Sequence, residues 1–313
     1  MKAEGSENAV ISVWPHRLAV ITACATFPLL FIGGLVTSKG AGLAVPDWPT
    51  TFGYNMFLYP WSKMVGNIFY EHSHRLVASA VGFLTIALAL SLWLQERRKS
   101  LRWLGVIALL LVVVQGVLGG LRVTLLEHSL AIVHASLAQA FFALTVSLAL
   151  FTSREWREKI AERPRGDSGR LRRLAAITTG LIYLQVLFGA VLRHTGLRLD
   201  AHLLFAALVT LHVVLLTARI FKDHSDDRRL TRPALFLSTM LLLQLFLGTV
   251  SYLAKFTTIM RMPIDVTVFL TTTHLAVGAL MLVTSLVVTL RPYRYPTGRT
   301  AAGQQVFTEQ YSL

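Results

Sequence analysis

A helix needs about 20 apolar residues to cross a hydrocarbon core about 30 Å thick, and this 313-residue chain contains eight runs of that length. They lie at approximately 18–37, 73–94, 102–121, 129–151, 174–193, 201–221, 233–254 and 264–290, each almost free of charge. Pro28 predicts a kink in the first. Of all residues, 54% are apolar and 15% charged, against about 45–50% and about 25% in an average soluble domain. That balance excludes disorder and argues against a soluble enzyme. The expected fold is an all-α integral membrane protein with eight transmembrane helices. The opening residues, MKAEGSENAV, show neither a cleavable signal pattern nor a basic transit helix.

Lys and Arg number 30 against 16 Asp and Glu, a formal charge of +14. An excess of this size suits nucleic-acid binding, a membrane surface or membrane topology, and position along the chain decides between them. The links 95–101, 152–173 and 222–232 are basic, and the intervening ones are not. With both termini cytoplasmic, 22 of the 30 cations fall inside, leaving Lys39, Lys63, Arg75, Arg122, Arg193, Arg198, Lys255 and Arg261 outside. This is the positive-inside pattern. The charge is topological, and no nucleic-acid partner is expected.

Segment 152–173 divides the chain into two halves that repeat one pattern. The odd spans end in LLFIGGLV (29–36), QGVLGGLR (115–122), QVLFGAVLR (185–193) and QLFLGTVS (244–251), each with Gly four residues after its first member. The even spans carry a His near the outer end and a small residue four positions later: His74/Ala78, His134/Ala138, His202/Ala206 and His274/Gly278. Duplication of a four-helix unit accounts for both series. The predicted organisation is an N-terminal bundle (1–151, with an outer loop at 38–72), a cytoplasmic linker (152–173), a C-terminal bundle (174–291) and a cytoplasmic tail (292–313), the bundles related by pseudo-symmetry.

An ionisable residue inside a span must face protein, water or a cofactor rather than lipid. Residues four apart share a helix face, so each small residue leaves flat space beside its imidazole. Two such helices facing one another would supply axial nitrogens to a porphyrin iron. The four His are therefore candidate iron ligands, in two heme-sized sites. The lone Cys24 excludes an intramolecular disulfide and a Cys-based metal site, and no H-E-x-x-H cluster is present. Arg75, Arg122, Arg193 and Arg198 lie within a turn or two of these helix ends and are candidate partners for heme propionates. Glu71, three residues before His74, directs a carboxylate toward whatever that imidazole binds. His16, His212 and His224 are read as solvated or packing residues. For His72, His128 and His194, pocket-lining and structural roles both stay open.

At Glu71-His72-Ser73-His74-Arg75, with GGLVTSKGAGLAVPDWPTTFG (33–53) before it and HASLAQ (134–139), LQVLFGAVLRHTG (184–196) and TTTHLAVGAL (271–280) after it, the sequence resembles the heme A synthase family. The resemblance runs from about residue 15 to 291. It implies a pseudo-twofold pair of four-helix bundles in a bacterial cytoplasmic membrane. The implied reaction is oxidation of a methyl group of heme o to a formyl group, giving heme a for cytochrome oxidase. It also implies that His74 and His134 flank the substrate heme, with Glu71 as catalytic acid, and that His202 and His274 hold a permanent heme b. Many bacterial members carry cysteines beside P-D-W-P where this chain has Val45 and Thr51, so thiol chemistry there is unavailable to it.

Two other classes use parts of the same pattern. A di-heme b-type electron-transfer cytochrome needs the four His but not Glu71, and a transporter with protonatable His needs no heme. The implied partners are heme o, the heme o synthase that supplies it, an electron donor and the lipid bilayer; no nucleotide or quinone motif identifies the donor. Gly33, Gly34, Gly119 and Gly120 offer packing surface within a chain or between chains of a homo-oligomer. The aromatic stretch 48–70 is read either as an interfacial helix over the N-terminal pocket or as an aromatic belt, and Asp47 as the cap of a Pro-flanked turn.

Overall fold

The computed structural model describes residues 12–158 and 168–294; residues 1–11, 159–167 and 295–313, with parts of the expected linker and tail, lie outside it. Helices α1 (Trp14–Ser38), α2 (Gly66–Gln95), α3 (Lys99–Leu125), α4 (His128–Thr152), α6 (Ser168–Thr195), α7 (Leu199–Asp223), α8 (Arg228–Phe256) and α9 (Ile264–Leu290) are each long and apolar enough to cross a membrane. A single short turn of helix, α5 (Arg154–Arg157), follows α4. No strand occurs among the described residues. Every predicted span is present; the first seven extend beyond their apolar runs and the eighth coincides with its own. α1 continues unbroken through Pro28.

Helix is the state that satisfies backbone polar groups without water. Intramembrane hydroxyls do the same locally: Thr22, Thr26 and Thr85 each donate to the carbonyl four residues back at 2.7 Å. Outside the bundle the apolar surface is uncovered. Leu94, Leu110, Leu242 and Phe246 are all more than half exposed, as a lipid-facing surface requires and a water-facing one does not tolerate. The chain is a multi-pass membrane protein.

α1 to α4 close a ring in which each helix packs on the next and α4 returns to α1; α6 to α9 close a second ring in the same way. Each ring has its own apolar core. Val81, Leu88, Leu92, Phe141 and Leu148 belong to the first, and Val213, Leu216, Leu237, Leu241 and Leu282 to the second. A third, smaller cluster fills the seam between the rings, where Leu30 of α1 and Phe142 of α4 meet Ala279 and Val283 of α9. α9 is the most buried span because it packs on both halves.

The basic ends of the helices lie together. His16 of α1 bonds to Ala149 O and Thr152 of α4, and Arg172 of α6 donates to Pro292 O beyond α9. Glu155 of α5 pairs with Arg291 at 3.2 Å across the halves. Glu96, between α2 and α3, is 6% exposed. Arg98 donates to both its oxygens and Arg157 to one. The Arg98 hydrogen bond, aided by the Arg98 and Arg157 charges and opposed by burial, holds its carboxyl below the usual carboxylate range.

The opposite end carries the loop between α1 and α2. Its aromatic stretch is not one helix. Two 3-10 turns, Met56–Leu58 and Trp61–Lys63, precede α2, because Pro49 and Pro60 have no N–H to donate and Gly53 takes φ +77°. Asp47 caps the turn as expected, accepting from the N–H groups of Phe52 at 2.7 Å and Gly53 at 2.8 Å and from the Thr50 hydroxyl. Burial pushes the Asp47 carboxyl up, but the bonds from Gly53, Thr50 and Phe52 outweigh it and hold the group below its ordinary value.

Candidate functional site

The four repeated glycines and the four repeated histidines meet one another. A Cβ on Gly33 of α1 would stand 3.1 Å from Cε1 of His74 on α2, and one on Gly119 of α3 would stand 3.4 Å from Cε1 of His134 on α4. In the second half, a Cβ on Gly189 of α6 would lie 3.3 Å from Cε1 of His202 on α7, and one on Gly248 of α8 3.0 Å from Cε1 of His274 on α9. Each imidazole therefore rests on the bare backbone of the preceding helix. The same-helix small residue serves another contact in at least one case: a Cβ on Gly278 would meet the amide of Gln244 at 3.2 Å.

That amide belongs to the same arrangement. Nε2 of Gln244 lies 3.3 Å from Nε2 of His274, and Nε2 of Gln185 lies 3.3 Å from Nε2 of His202. In the first half Gln115 turns instead to the carbonyl of His134, at 3.2 Å. Nδ1 of all four histidines is buried without a hydrogen-bond partner, as is Oε1 of Gln185 and Gln244. An unpaired buried polar atom costs about 1–3 kcal/mol, so each of these clusters has hydrogen-bonding or ligating capacity left for a further group.

The His202 and His274 rings face across the second bundle with centroids 6.3 Å apart and planes at 67°. That spacing accommodates one metal ion held by a nitrogen of each ring at the roughly 2 Å of a metal–imidazole bond. Among the described residues no group of three or more His, Cys, Asp or Glu gathers as a zinc or carboxylate centre would require. Paired imidazoles in an apolar bundle fit the two axial positions of a heme.

The first half adds a cover. Glu71 is 4% exposed; Oε2 accepts from the N–H of Val45 at 2.9 Å, and Oε1 pairs with Arg75 at 2.8 Å. Arg75 also donates to the carbonyls of Asp47 at 2.7 Å, Thr50 at 3.0 Å and Val45 at 3.1 Å. His72, 1% exposed, bonds through Nδ1 to the Thr51 hydroxyl at 3.2 Å and packs on Tyr59. The segment 45–51 is thus bound to one face of α2. Trp48 reaches across to α3, where its indole occupies the space a Cβ on Gly120 would fill. Arg122, two residues on, lies against Gly42 and has no hydrogen bond or ion pair among the described residues. It is close enough for its charge to act on Glu71, His74 and His134.

The remaining candidates separate. Arg193 of α6 turns into the seam, donating to Gly34 O at 2.7 Å, to the Ser38 hydroxyl and to Thr271 O at 3.2 Å. Arg198 is exposed at the start of α7, with φ +68°. His212 bonds to Leu208 O within α7. His224 is buried at the basic end, with neither ring nitrogen hydrogen-bonded. The contacts of the glycines and of the Gln185 and Gln244 amides with the histidines are not readable from single positions. Their signal was present in the Q-x-x-x-G spacing, whose meaning lies in a neighbouring helix.

The family described as cytochrome oxidase assembly protein (COX15-CtaA) matches residues 16–201, more than half of the chain. The match takes in Glu71, His74 and His134 and stops one residue before His202. The heme A synthase of Shouchella clausii is 29% identical over 242 residues, 75% of each chain. That of Alkalihalophilus pseudofirmus is 30% identical over 143 residues, 45% of this chain and 47% of its own. That of Exiguobacterium sibiricum is 27% identical over 191 residues, 58% and 61%. The extent of the family match establishes that this chain belongs to the cytochrome oxidase assembly protein family.

Proposed function

We propose that the chain is a heme A synthase, a heme-dependent membrane oxidoreductase that oxidises a methyl group of heme o to a formyl group for cytochrome oxidase. The observation that carries this is the fourfold seating of a histidine on a glycine of the preceding helix, in two pairs, within a chain of this family. His202 and His274 hold a resident heme b, and His74 and His134 receive the substrate heme. A bound heme supplies the redox-active iron.

The chain's own residues orient and enclose. The glycines fix each imidazole against a backbone that cannot retreat, so the ligand nitrogens are positioned before binding. Arg122, unpaired beside both N-terminal histidines, is the cation that meets a substrate carboxylate. Glu71 acts from the edge of that site, holding segment 45–51 over it and placing a negative charge beside the reacting region. Trp48 on Gly120 closes the cover and excludes water. In the second half Arg193 serves the corresponding acid groups, and Arg198 remains at the surface.

The two bundles act as substrate and cofactor halves, joined on the cytoplasmic side, with both termini inside a bacterial cytoplasmic membrane. The heme o synthase and an electron donor are the partners this chemistry requires. The test is co-expression with a source of heme o followed by extraction and chromatography of the hemes. A formyl-bearing product that disappears in Glu71→Ala is expected. A purified protein with no heme band in its reduced-minus-oxidised spectrum would overturn the proposal, and loaded protein that converts nothing would identify an electron-transfer cytochrome.

A further inference from the structure

We infer that Arg193 couples the two histidine sites, so that filling the C-terminal site changes the affinity of the N-terminal one for a tetrapyrrole. This rests on the heme reading given above and adds a regulatory link to it.

Arg193 belongs to α6 of the second half, yet its strongest bond is to the first: the guanidinium donates to Gly34 O at 2.7 Å and to the Ser38 hydroxyl, both on α1. It also donates to Thr271 O on α9, three residues before His274. Gly34 adjoins Gly33, the residue on which His74 rests, and a Cβ on Gly34 would stand 3.0 Å from Cγ2 of Thr272. One side chain therefore touches the backbone beside a ligand in each bundle. Its Nε is buried and unpartnered, a remaining donor suited to a carboxylate, and its charge acts on His274 and on Lys255 at the same end.

A porphyrin carboxylate drawn to that Nε must share the guanidinium with Gly34 O and Ser38. Any shift of the planar group is transmitted to α1 because its donors are fixed in one plane. The seam there is tight, because the Thr272 side chain lies directly against the bare Gly34 backbone, so a shift of α1 at Gly34 also moves Gly33 relative to His74. Coupling between sites is reciprocal and commonly at least about fivefold in affinity.

The experiment uses full-length protein in detergent with hemin as probe. Hemin binding at the N-terminal site is titrated by absorbance in protein loaded at the C-terminal site and in the His202→Ala variant, which leaves that site empty. The two affinities are expected to differ at least about fivefold. In Arg193→Lys the ratio between loaded and His202→Ala backgrounds is expected to fall toward one. Ser38→Ala, which removes a single bond and preserves the fold, should lower it partway. A ratio near one in the parent, or an unchanged ratio in both variants, overturns the inference and leaves the heme sites standing. Failure of the parent to bind hemin in a His202-dependent way overturns the site reading and this inference together.

Discussion

Gly248 and His274 are in contact through bare backbone: a Cβ on the glycine would stand 3.0 Å from Cε1 of the ring. The ring would have to move, since the glycine sits inside a continuous helix. Overpacking of this kind costs about 1–3 kcal/mol. Gly248→Ala is expected to lower retained heme per protein more than Gly189→Ala, where the same contact is 3.3 Å. Pyridine hemochrome absorbance measures this, and equal retention in the two variants would undo the ranking.

Glu71 and Arg75 form a buried ion pair with side chains 5% and 9% exposed. Removing one partner of such a pair costs about 3–5 kcal/mol, and here it also releases three loop carbonyls. Arg75→Ala is expected to expose segment 45–51 to limited proteolysis in detergent. Glu71→Gln should do so less, because an amide oxygen can still accept from Val45. Cleavage rates matching the parent in both variants would show that the loop is held by other contacts.

The Glu96 carboxyl lies below its ordinary value in the folded protein, chiefly through the Arg98 hydrogen bond. A group lowered on folding contributes stability above its unfolded pKa, and loses it as pH falls through the folded value. Thermal stability in detergent is therefore expected to drop on acidification through and below the usual carboxylate range. Glu96→Gln should be less stable at neutral pH by about 2 kcal/mol and should lack that part of the acid transition. A parallel pH profile in parent and variant would remove Glu96 from the account.

Cys24 is the single cysteine, exposed on the membrane-spanning part of α1. The bonds Val45 to Glu71 and Thr51 to His72 hold the outer loop without sulfur. Heme conversion is expected to be unaffected by dithiothreitol and retained in Cys24→Ser. A loss of more than half the activity in either case would point to an intermolecular thiol.

The eight spans and the four histidines were readable because each depends on residues close together in the chain: about 20 apolar positions for a span, one face of a helix for a histidine and its neighbour. The partners of the arginines were not. Arg75 and Arg193 have the position of ligand-binding cations, and only the fold brings the carbonyls of Val45, Asp47 and Thr50 to the first, and those of Gly34 and Thr271 to the second. The same holds for the glycines. Spacing singled out Gly33, Gly119, Gly189 and Gly248, while the reason for them stands on the following helix. Of the two readings open for the aromatic stretch, the interfacial helix is not formed: Pro49, Pro60 and Gly53 break it into two short 3-10 turns.

α9 lies against α1 and α4 as well as against α6 and α8, while α3 and α7 pack mainly on helices of their own ring. Random substitutions should therefore sort into two genetic classes. Lesions on α3 and α7 will be private to one bundle, and suppressors of them should arise nearby. Lesions on the buried face of α9, at Thr272, Ala279 or Val283, will report on both bundles at once. A phenotype mapped to α9 is consequently poor evidence for which half of the protein has failed.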